Sequence, residues 1–393
     1  MKTPIRRPQI TPSASRPVVS PLQPSVVYAT DTPDDLDALY DGGAHGFTYS
    51  REGHANARTL AQMIDGMEGA ADGVVVSSGM AAISVALMAT CKAGDHVLGG
   101  NQLYGRSLRM MNEELPRLGM ETSVFDPTDI AAARAAVRPN TRAILIEVVS
   151  NPTLRVADMP AIYALAREIG AVVIVDNTFT TPYAYRPFDH GADIVVHSVT
   201  KLMAGHSDAM LGYVAARDPG VAERLNIVAT TWGFTASPFD CWMAERGLLS
   251  FDLRFERAQA NARALAEALN ALPGVARTVF PGLPNHPDHN RARDILGDAM
   301  GNMVSFEIPG GRAAANALTR AAQPIAFAPT LGDINTTLSH AASSSHRALS
   351  AEARGQLGMS EGFFRVSVGV EPAQDIIAAF TRGVEAAARA DQA

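Results

Sequence analysis

The chain has 393 residues, 47% of them hydrophobic and 19% charged, with a formal net charge of −7. That length exceeds what one ordinary hydrophobic core organises, so two or three domains are expected, and the balance of apolar and charged residues is that of a soluble globular protein. An acidic chain with no basic run and no zinc-type Cys/His spacing gives no support to a nucleic-acid partner, and two cysteines, Cys91 and Cys241, make no disulfide framework and suit a reducing compartment.

Lys2, Arg6 and Arg7 open the chain, but six prolines from Pro4 to Pro24 interrupt any apolar segment that would follow them in a leader. No run of about 18 uncharged apolar residues exists, so no membrane span and a cytoplasmic location are expected. Residues 1–55 read as an arm: Pro-rich, then acidic around Asp31–Asp37, then Gly-rich at Asp41–Gly46. Such a segment cannot build its own core; it is either disordered or laid on another surface. From about residue 60, short β-branched runs alternate with amphipathic stretches, which predicts an α/β fold with a mostly parallel sheet and helices on both faces.

Strands are expected at Gly73–Ser77, His96–Gly99, Thr122–Asp126, Arg142–Val149, Ala171–Asp176 and Ile194–Ser198, several of them apolar on both faces as buried strands are. Helices are expected at Met80–Thr90, Ser107–Leu118, Ile130–Val137 and Met159–Ile169, with one long helix near Phe239–Leu272 leading out of the large domain. Beyond about residue 275, strands Met303–Ile308 and Phe363–Val370 lie among Ala-rich helices ending with Gln374–Ala388, which reads as a smaller α/β domain. The division expected is an arm at 1–55, a large domain at 56–245 and a C-terminal small domain at 246–393.

Three stations carry chemistry. Ser77-Ser78-Gly79-Met80-Ala81-Ala82 lies between a strand and a helix, where glycine permits close backbone approach and a helix N-terminus offers free N–H groups to a phosphate. Alone, it reads as well as a common cap. Asp176 ends the strand in AVVIVDNTF, and carboxylates at carboxyl-terminal strand edges of α/β sheets point into the ligand crevice; a turn or helix cap is the equal alternative. Within ADIVVHSVTKLMAGHSD, an apolar strand runs into Ser198, Thr200 and Lys201, 25 residues beyond Asp176. A lysine at the end of a buried strand is costly to hold charged, a cost that makes sense if the amine is consumed in an imine with an aldehyde cofactor. In isolation the commoner reading is a lysine emerging into solvent. In chain order the three supply an anion cradle, an acid for a ring nitrogen and an imine-forming amine, and jointly they describe one site.

With these motifs the chain resembles the Cys/Met-metabolism family of pyridoxal-5′-phosphate (PLP) enzymes, fold type I, which holds cystathionine γ-synthases, cystathionine lyases, methionine γ-lyases and O-acyl-homoserine sulfhydrylases. The resemblance runs from about Tyr49 to the C-terminus. It rests on Ser78-Gly-Met-Ala-Ala, Ser150-Asn-Pro-Thr153, Asp176-Asn-Thr-Phe, His197-Ser-Val-Thr-Lys201 with Gly205-His-Ser-Asp208, and Arg365-Val-Ser-Val-Gly-Val-Glu371. It implies that Lys201 holds PLP and moves protons, that Asp176 pairs with the ring nitrogen, and that Asn151 sits near the phenolic oxygen. By the same resemblance Tyr104 stacks on the ring and assists proton transfer, Gly79, Met80, Ser198 and Thr200 hold the phosphate, and Arg365 clamps the substrate carboxylate. Thr336 stands where relatives commonly have a carboxylate-binding serine. Tyr49 and Arg51 resemble a Tyr-x-Arg pair that reaches the phosphate of a neighbouring subunit, which would order the arm on a partner chain in a dimer and, by family habit, a homotetramer built as a dimer of such dimers. His206 and His346 match family positions and read as structural.

The chain departs from the family at Asn56-Ala57-Arg58, where Asn-Pro-Thr is usual, and at Leu202, where an aromatic is common. Arg106 follows Tyr104-Gly105 where relatives carry a small residue or, in methionine γ-lyases, a cysteine. If it faces the pocket it favours a distal anionic or strongly polar group; the alternative is a surface arginine starting a helix. Asn335 stands in Leu331-Gly-Asp-Ile-Asn-Thr336 where many relatives have glutamate. The expected activity is γ-elimination on a sulfur-containing or related amino acid, with γ-replacement, β-elimination and an unusual γ-substituted substrate such as canavanine as alternatives.

Overall fold

The computed structural model describes residues 14–344, 347 and 350–391. Seven strands build the larger sheet: β1 (Val74–Val76), β2 (His96–Gly100), β3 (Glu121–Phe125), β4 (Thr141–Glu147), β5 (Val172–Asp176), β6 (Ile194–His197) and β7 (Gly212–Ala216), in the order β1-β7-β6-β5-β4-β2-β3. Strands β2 to β6 pair in parallel, and β7 is antiparallel to both of its neighbours. The expected mostly parallel sheet is therefore present.

Burial on both faces explains the apolar runs. Successive residues of a strand point to opposite sides, so Leu145 and Ile174 join one core with the helix Gly79–Thr90, while Ile144, Ile146, Val173 and Val175 join the other with the helices Ala55–Glu68 and Met159–Ile169. Ser78 caps the helix Gly79–Thr90 by accepting from Ala81 N, and Asp158 caps Met159–Ile169 by accepting from Ala161 N. Where β4, β5 and β6 leave the sheet, Glu147, Asp176 and His197 stand side by side at the carboxyl edge.

Strand β7 has no counterpart among the sequence expectations. Its sequence, GYVAA, holds one β-branched residue, and its small side chains are required by packing. A Cβ on Gly212 would lie 2.0 Å from the Ser78 carbonyl oxygen. Tight approach, not strand propensity, wrote this segment.

The second sheet comprises β8 (Arg277–Val279), β9 (Met303–Glu307), β10 (Ala326–Phe327), β11 (Thr337–His340) and β12 (Phe363–Ser367), ordered β10-β11-β12-β9-β8 and antiparallel except between β10 and β11. The helices Phe251–Ala271, Gly311–Ala321 and Ala373–Asp391 pack with it, and one apolar core runs unbroken from Leu60 to Ala387. Cys91 and Cys241 are both buried free thiols.

Two expected helices are broken. The long one is in fact Pro238–Leu248 followed by Phe251–Ala271. At the break, a Cβ on Gly247 would meet the Ala204 carbonyl oxygen at 2.3 Å, and the buried Arg254 guanidinium takes up the Gly247 carbonyl at 2.9 Å. The helix after Tyr104 runs Gly105–Arg109, then a π turn at Met110–Glu114, then Leu115–Arg117. Pro116 brings no N–H to the preceding turn, and Thr122 donates its hydroxyl to the Met111 carbonyl at 2.8 Å, so the wider register leaves that carbonyl satisfied.

Within the arm, the helix Pro33–Tyr40 is capped at both turns of a Thr32–Asp35 capping box yet buries no residue against its own chain. Val18, Val19 and Val27 are likewise exposed. Among the described residues no helix is long and apolar enough to cross a membrane, and no cluster of His, Cys, Asp or Glu suits a metal ion. His346 lies outside the described residues.

Candidate active site

Lys201 sits in the turn that follows β6, and the structure holds that turn from three sides. Arg254 donates to the carbonyls of Leu202 at 2.8 Å and Met203 at 2.9 Å. Gly332, at φ +83°, presses so close that a Cβ there would lie 2.4 Å from Leu202 N and 2.6 Å from the Lys201 carbonyl carbon. Thr200 binds across to the strand entering β7, its hydroxyl donating to the Leu211 carbonyl at 3.1 Å and accepting from Leu211 N at 2.9 Å. Burial, and then the positive charge of Arg365, hold the Lys201 amine below the usual lysine range. An amine so placed is more readily neutral and nucleophilic.

The cradle forms where the start of the helix Gly79–Thr90 meets the end of β6. A Cβ on Gly79 would strike Ser198 Cβ at 2.6 Å, so only glycine lets these segments share a wall. Ser78 spends its hydroxyl and carbonyl on Ala81 N and Ala82 N, which leaves the first N–H groups of the helix, at Gly79 and Met80, without an intrahelical partner. Ser198 N donates to the Thr178 hydroxyl at 2.7 Å, tying the cradle to the loop after β5. The Thr200 hydroxyl is the exception to the expected set. Its hydrogen already points to Leu211, and it reaches an anion only by giving that bond up.

Asp176 and Glu147 are paired residues at the ends of adjacent strands. Both carboxyls are held above the usual carboxylate range by burial. For Glu147 the neighbouring Asp176 charge adds to this, and the Tyr104 N–H opposes it; for Asp176 the Thr178 hydroxyl and N–H and the charge of His197 oppose it. Behind them on the other face of the sheet, His197, 1% exposed, bonds to Glu68, 0% exposed, and Asn177 donates to the same Glu68 oxygen at 2.9 Å.

The second sheet brings Arg365 from β12. It is 6% exposed and donates through Nη1 to Asn151 Oδ1 at 2.8 Å and through Nη2 to the Thr330 carbonyl at 2.6 Å. Its Nε is buried without a partner among the described residues. Burial pushes this guanidinium down to about 10, and the Tyr104 hydroxyl acts to raise it. A buried cation with an unmatched N–H is the donor set that an incoming carboxylate satisfies. Ser305 fastens the arrangement by donating to the Pro152 carbonyl at 2.6 Å.

Lys201, Asp176, Asn151, Gly79, Met80, Ser198, Tyr104 and Arg365 are thus brought together. Other expected residues are not. Thr336, 2% exposed, donates its hydroxyl to Glu371 Oε2 at 2.9 Å and its N–H to Glu371 Oε1 at 2.6 Å, so its donors are spoken for. Tyr49 and Arg51 lie exposed on the arm, Arg51 5.5 Å from the Tyr49 ring centroid and reaching the Thr230 carbonyl at 3.4 Å. Arg106 is exposed; its carbonyl accepts the Met110 N–H, and among the described residues its guanidinium has no hydrogen-bond or ion-pair partner. His206 bonds to the Ala204 carbonyl at 2.7 Å, a structural contact.

Sequence reading missed Glu147, Arg254 and Gly212. For Glu147 the signal was present, since AILIE ends an apolar strand on a lone acid as AVVIVD does. Arg254 carried none, because its partners are main-chain carbonyls about 50 residues away. The donor set fits a phosphate-bearing aldehyde with a basic ring nitrogen: a depressed amine, an anion cradle that a Cβ would fill, and a buried acid.

A family model for the Cys/Met metabolism PLP-dependent enzymes matches residues 4–385. O-succinylhomoserine sulfhydrylase of Pseudomonas aeruginosa is 37% identical over 91% of this chain and 89% of its own. L-methionine gamma-lyase of Porphyromonas gingivalis is 35% identical over 94% of this chain and 92% of its own. A solved structure of a putative O-acetylhomoserine (thiol)-lyase from Campylobacter jejuni, holding N′-pyridoxyl-lysine-5′-monophosphate, superposes with a TM-score of 0.90 at 28% identity, over 95% of this chain and 96% of that one.

Proposed function

Since the chain belongs to the Cys/Met-metabolism family of PLP-dependent enzymes, we propose that it is a lyase catalysing γ-elimination on a γ-substituted amino acid. One observation supports the reading: Arg365 is buried with its Nε unmatched among the described residues, and burial together with the positive charge of Arg365 holds the amine of Lys201 below the usual lysine range. A carboxylate docked on the first presents its Cα to the second.

Lys201 Nζ would hold the cofactor through its aldehyde, the Gly79 and Met80 N–H groups and Ser198 would hold the phosphate, and Asp176 would face the ring nitrogen. When bound, PLP supplies an electron sink for the charge left as protons leave Cα and then Cβ. Arg365 binds the substrate carboxylate and orients Cα. Lys201 Nζ, once free, would take up the Cα and the Cβ proton in turn, and one of these protons would pass to the leaving γ-substituent through Lys201 or Tyr104; steps of this kind typically contribute ~10²–10⁴-fold. Tyr104 would lie against the ring and assist these transfers. Arg106, two residues beyond Tyr104 and with no side-chain partner among the described residues, supports a substrate whose distal end is anionic or strongly polar, as in cystathionine, over one ending in a bare methylthio group.

The same arginine, with the sulfhydrylase among the relatives, favours one second reading: γ-replacement on an acyl-homoserine bearing a distal carboxylate. Tyr49 and Arg51 complete the phosphate site of a partner subunit, in a dimer within a homotetramer. The test is a panel of cystathionine, methionine, homocysteine, cysteine, canavanine and O-acyl homoserines, with and without a thiol. Ammonia with a 2-oxo acid is expected, and a new amino acid formed only with thiol would establish replacement instead. Lys201→Ala should lose the visible cofactor absorbance and turnover together; activity without Lys201 sinks the assignment.

A further inference from the structure

Glu147 has no role in the reaction derived above, yet it is the acid closest to the machinery. It ends β4 directly opposite Asp176 of β5, and by the two-residue strand period both point to the face that carries Leu145 and Ile174. Its Oε1 accepts the Tyr104 N–H at 2.6 Å. Residue 102, two positions earlier in the same loop, is tied elsewhere, with the Ser150 hydroxyl donating to Gln102 Oε1 at 3.1 Å. The loop that presents Tyr104 is therefore pinned at two points, one of them a buried carboxyl.

Two adjacent buried carboxyls do not both ionise, and their surroundings separate them. Asp176 receives the Thr178 N–H at 3.0 Å and feels the charge of His197. On Glu147 act the Tyr104 N–H and the repelling Asp176 charge. We propose that Glu147 remains protonated in the working enzyme and is a positioning residue: a neutral acceptor that holds the Tyr104 main chain and leaves Asp176 as the one anion facing the ring nitrogen. The inference rests on the assignment of Asp176 to that nitrogen.

Glu147→Gln keeps shape, neutrality and an acceptor for Tyr104, whereas Glu147→Leu keeps only bulk. Leu should lower kcat/KM and weaken PLP binding to the apoprotein by roughly 10-fold or more, the worth of a lost hydrogen bond to a buried group, and Gln should rescue both. A second readout needs no turnover. In the unfolded chain Glu147 releases its proton near its ordinary value of 4.5, while the folded protein keeps it to higher pH. Folded-state stability from this group is complete below that value and is lost as pH rises toward the folded pKa. The Gln variant escapes the loss, so the apoprotein melting temperature of Glu147→Gln should gain on the wild type as the pH is raised above the ordinary value of 4.5. If Gln proves as damaging as Leu, Glu147 is needed as an anion and the proposal falls. It falls equally if Leu behaves as wild type, or if the melting difference is flat with pH. Asp176→Asn run in parallel tests the underlying assignment, since normal PLP affinity and spectrum in that variant would sink the ring-nitrogen assignment itself.

Discussion

Arg365 shows how a single side chain is given its task by what it lacks. Two of its nitrogens are fixed on Asn151 and Thr330, and the third N–H is buried with no acceptor among the described residues. Such a group costs free energy until a ligand supplies the acceptor. Arg365→Lys preserves the charge and loses the planar fork, so it should raise KM for the amino-acid substrate about 10–100-fold while covalent PLP capture persists. Steady-state kinetics beside the absorbance spectrum separate the two effects, and an unchanged KM would remove Arg365 from carboxylate binding. Residues at this scale were legible where a lone polar group interrupts an apolar run, as at Asp176 and Lys201. The bonding of Thr336 to Glu371 was not legible, because chain folding brings the two together and spacing does not reveal it.

Among the elements, the turn carrying Lys201 depends on pieces remote in sequence. The Leu331–Asp333 loop lies against it through Gly332, the helix Phe251–Ala271 caps its carbonyls through Arg254, and Leu211, the residue leading into β7, anchors it. Gly332→Ala places a Cβ where the Leu202 N already lies and forces a non-glycine residue to φ +83°. We expect a loss of about 1–3 kcal/mol of stability, visible as a lower melting temperature, together with slower PLP capture. A variant with the melting temperature and capture rate of the wild type would show that the loop does not press on the lysine turn. The strands β2, β4, β5 and β6 were readable from their apolar runs, because burial on both faces is a demand on composition, whereas β7, β8, β10 and β11 were not. The two broken helices were not, since Gly247 and the π turn at Met110–Glu114 answer to neighbours met only after folding.

At the scale of the whole molecule, the arm is the unexplained part of a single chain. Its helix Pro33–Tyr40 buries nothing, and Tyr49 and Arg51 are exposed. If these two residues serve a partner's phosphate, chains defective in different parts of a shared site should complement one another. Arg51→Ala and Lys201→Ala, each inactive alone, should recover measurable activity when unfolded and refolded together, because one site of the mixed dimer is then intact. No recovery in a mixture shown by native mass spectrometry to contain mixed dimers would overturn the shared site. What the amino-acid sequence determined alone was the alternation of buried strands and helices and the local motifs on their ends, Ser78-Gly79-Met80, Asp176 and Ser198 to Lys201. Each of these follows from burial and backbone geometry within a few residues. Only the tertiary structure decided that Glu147 stands beside Asp176, that Arg254 and Gly332 hold the lysine turn, and that Thr336 belongs to Glu371. Those pairings join residues tens to hundreds of positions apart, and an interaction across such a separation leaves no periodicity in the chain that makes it.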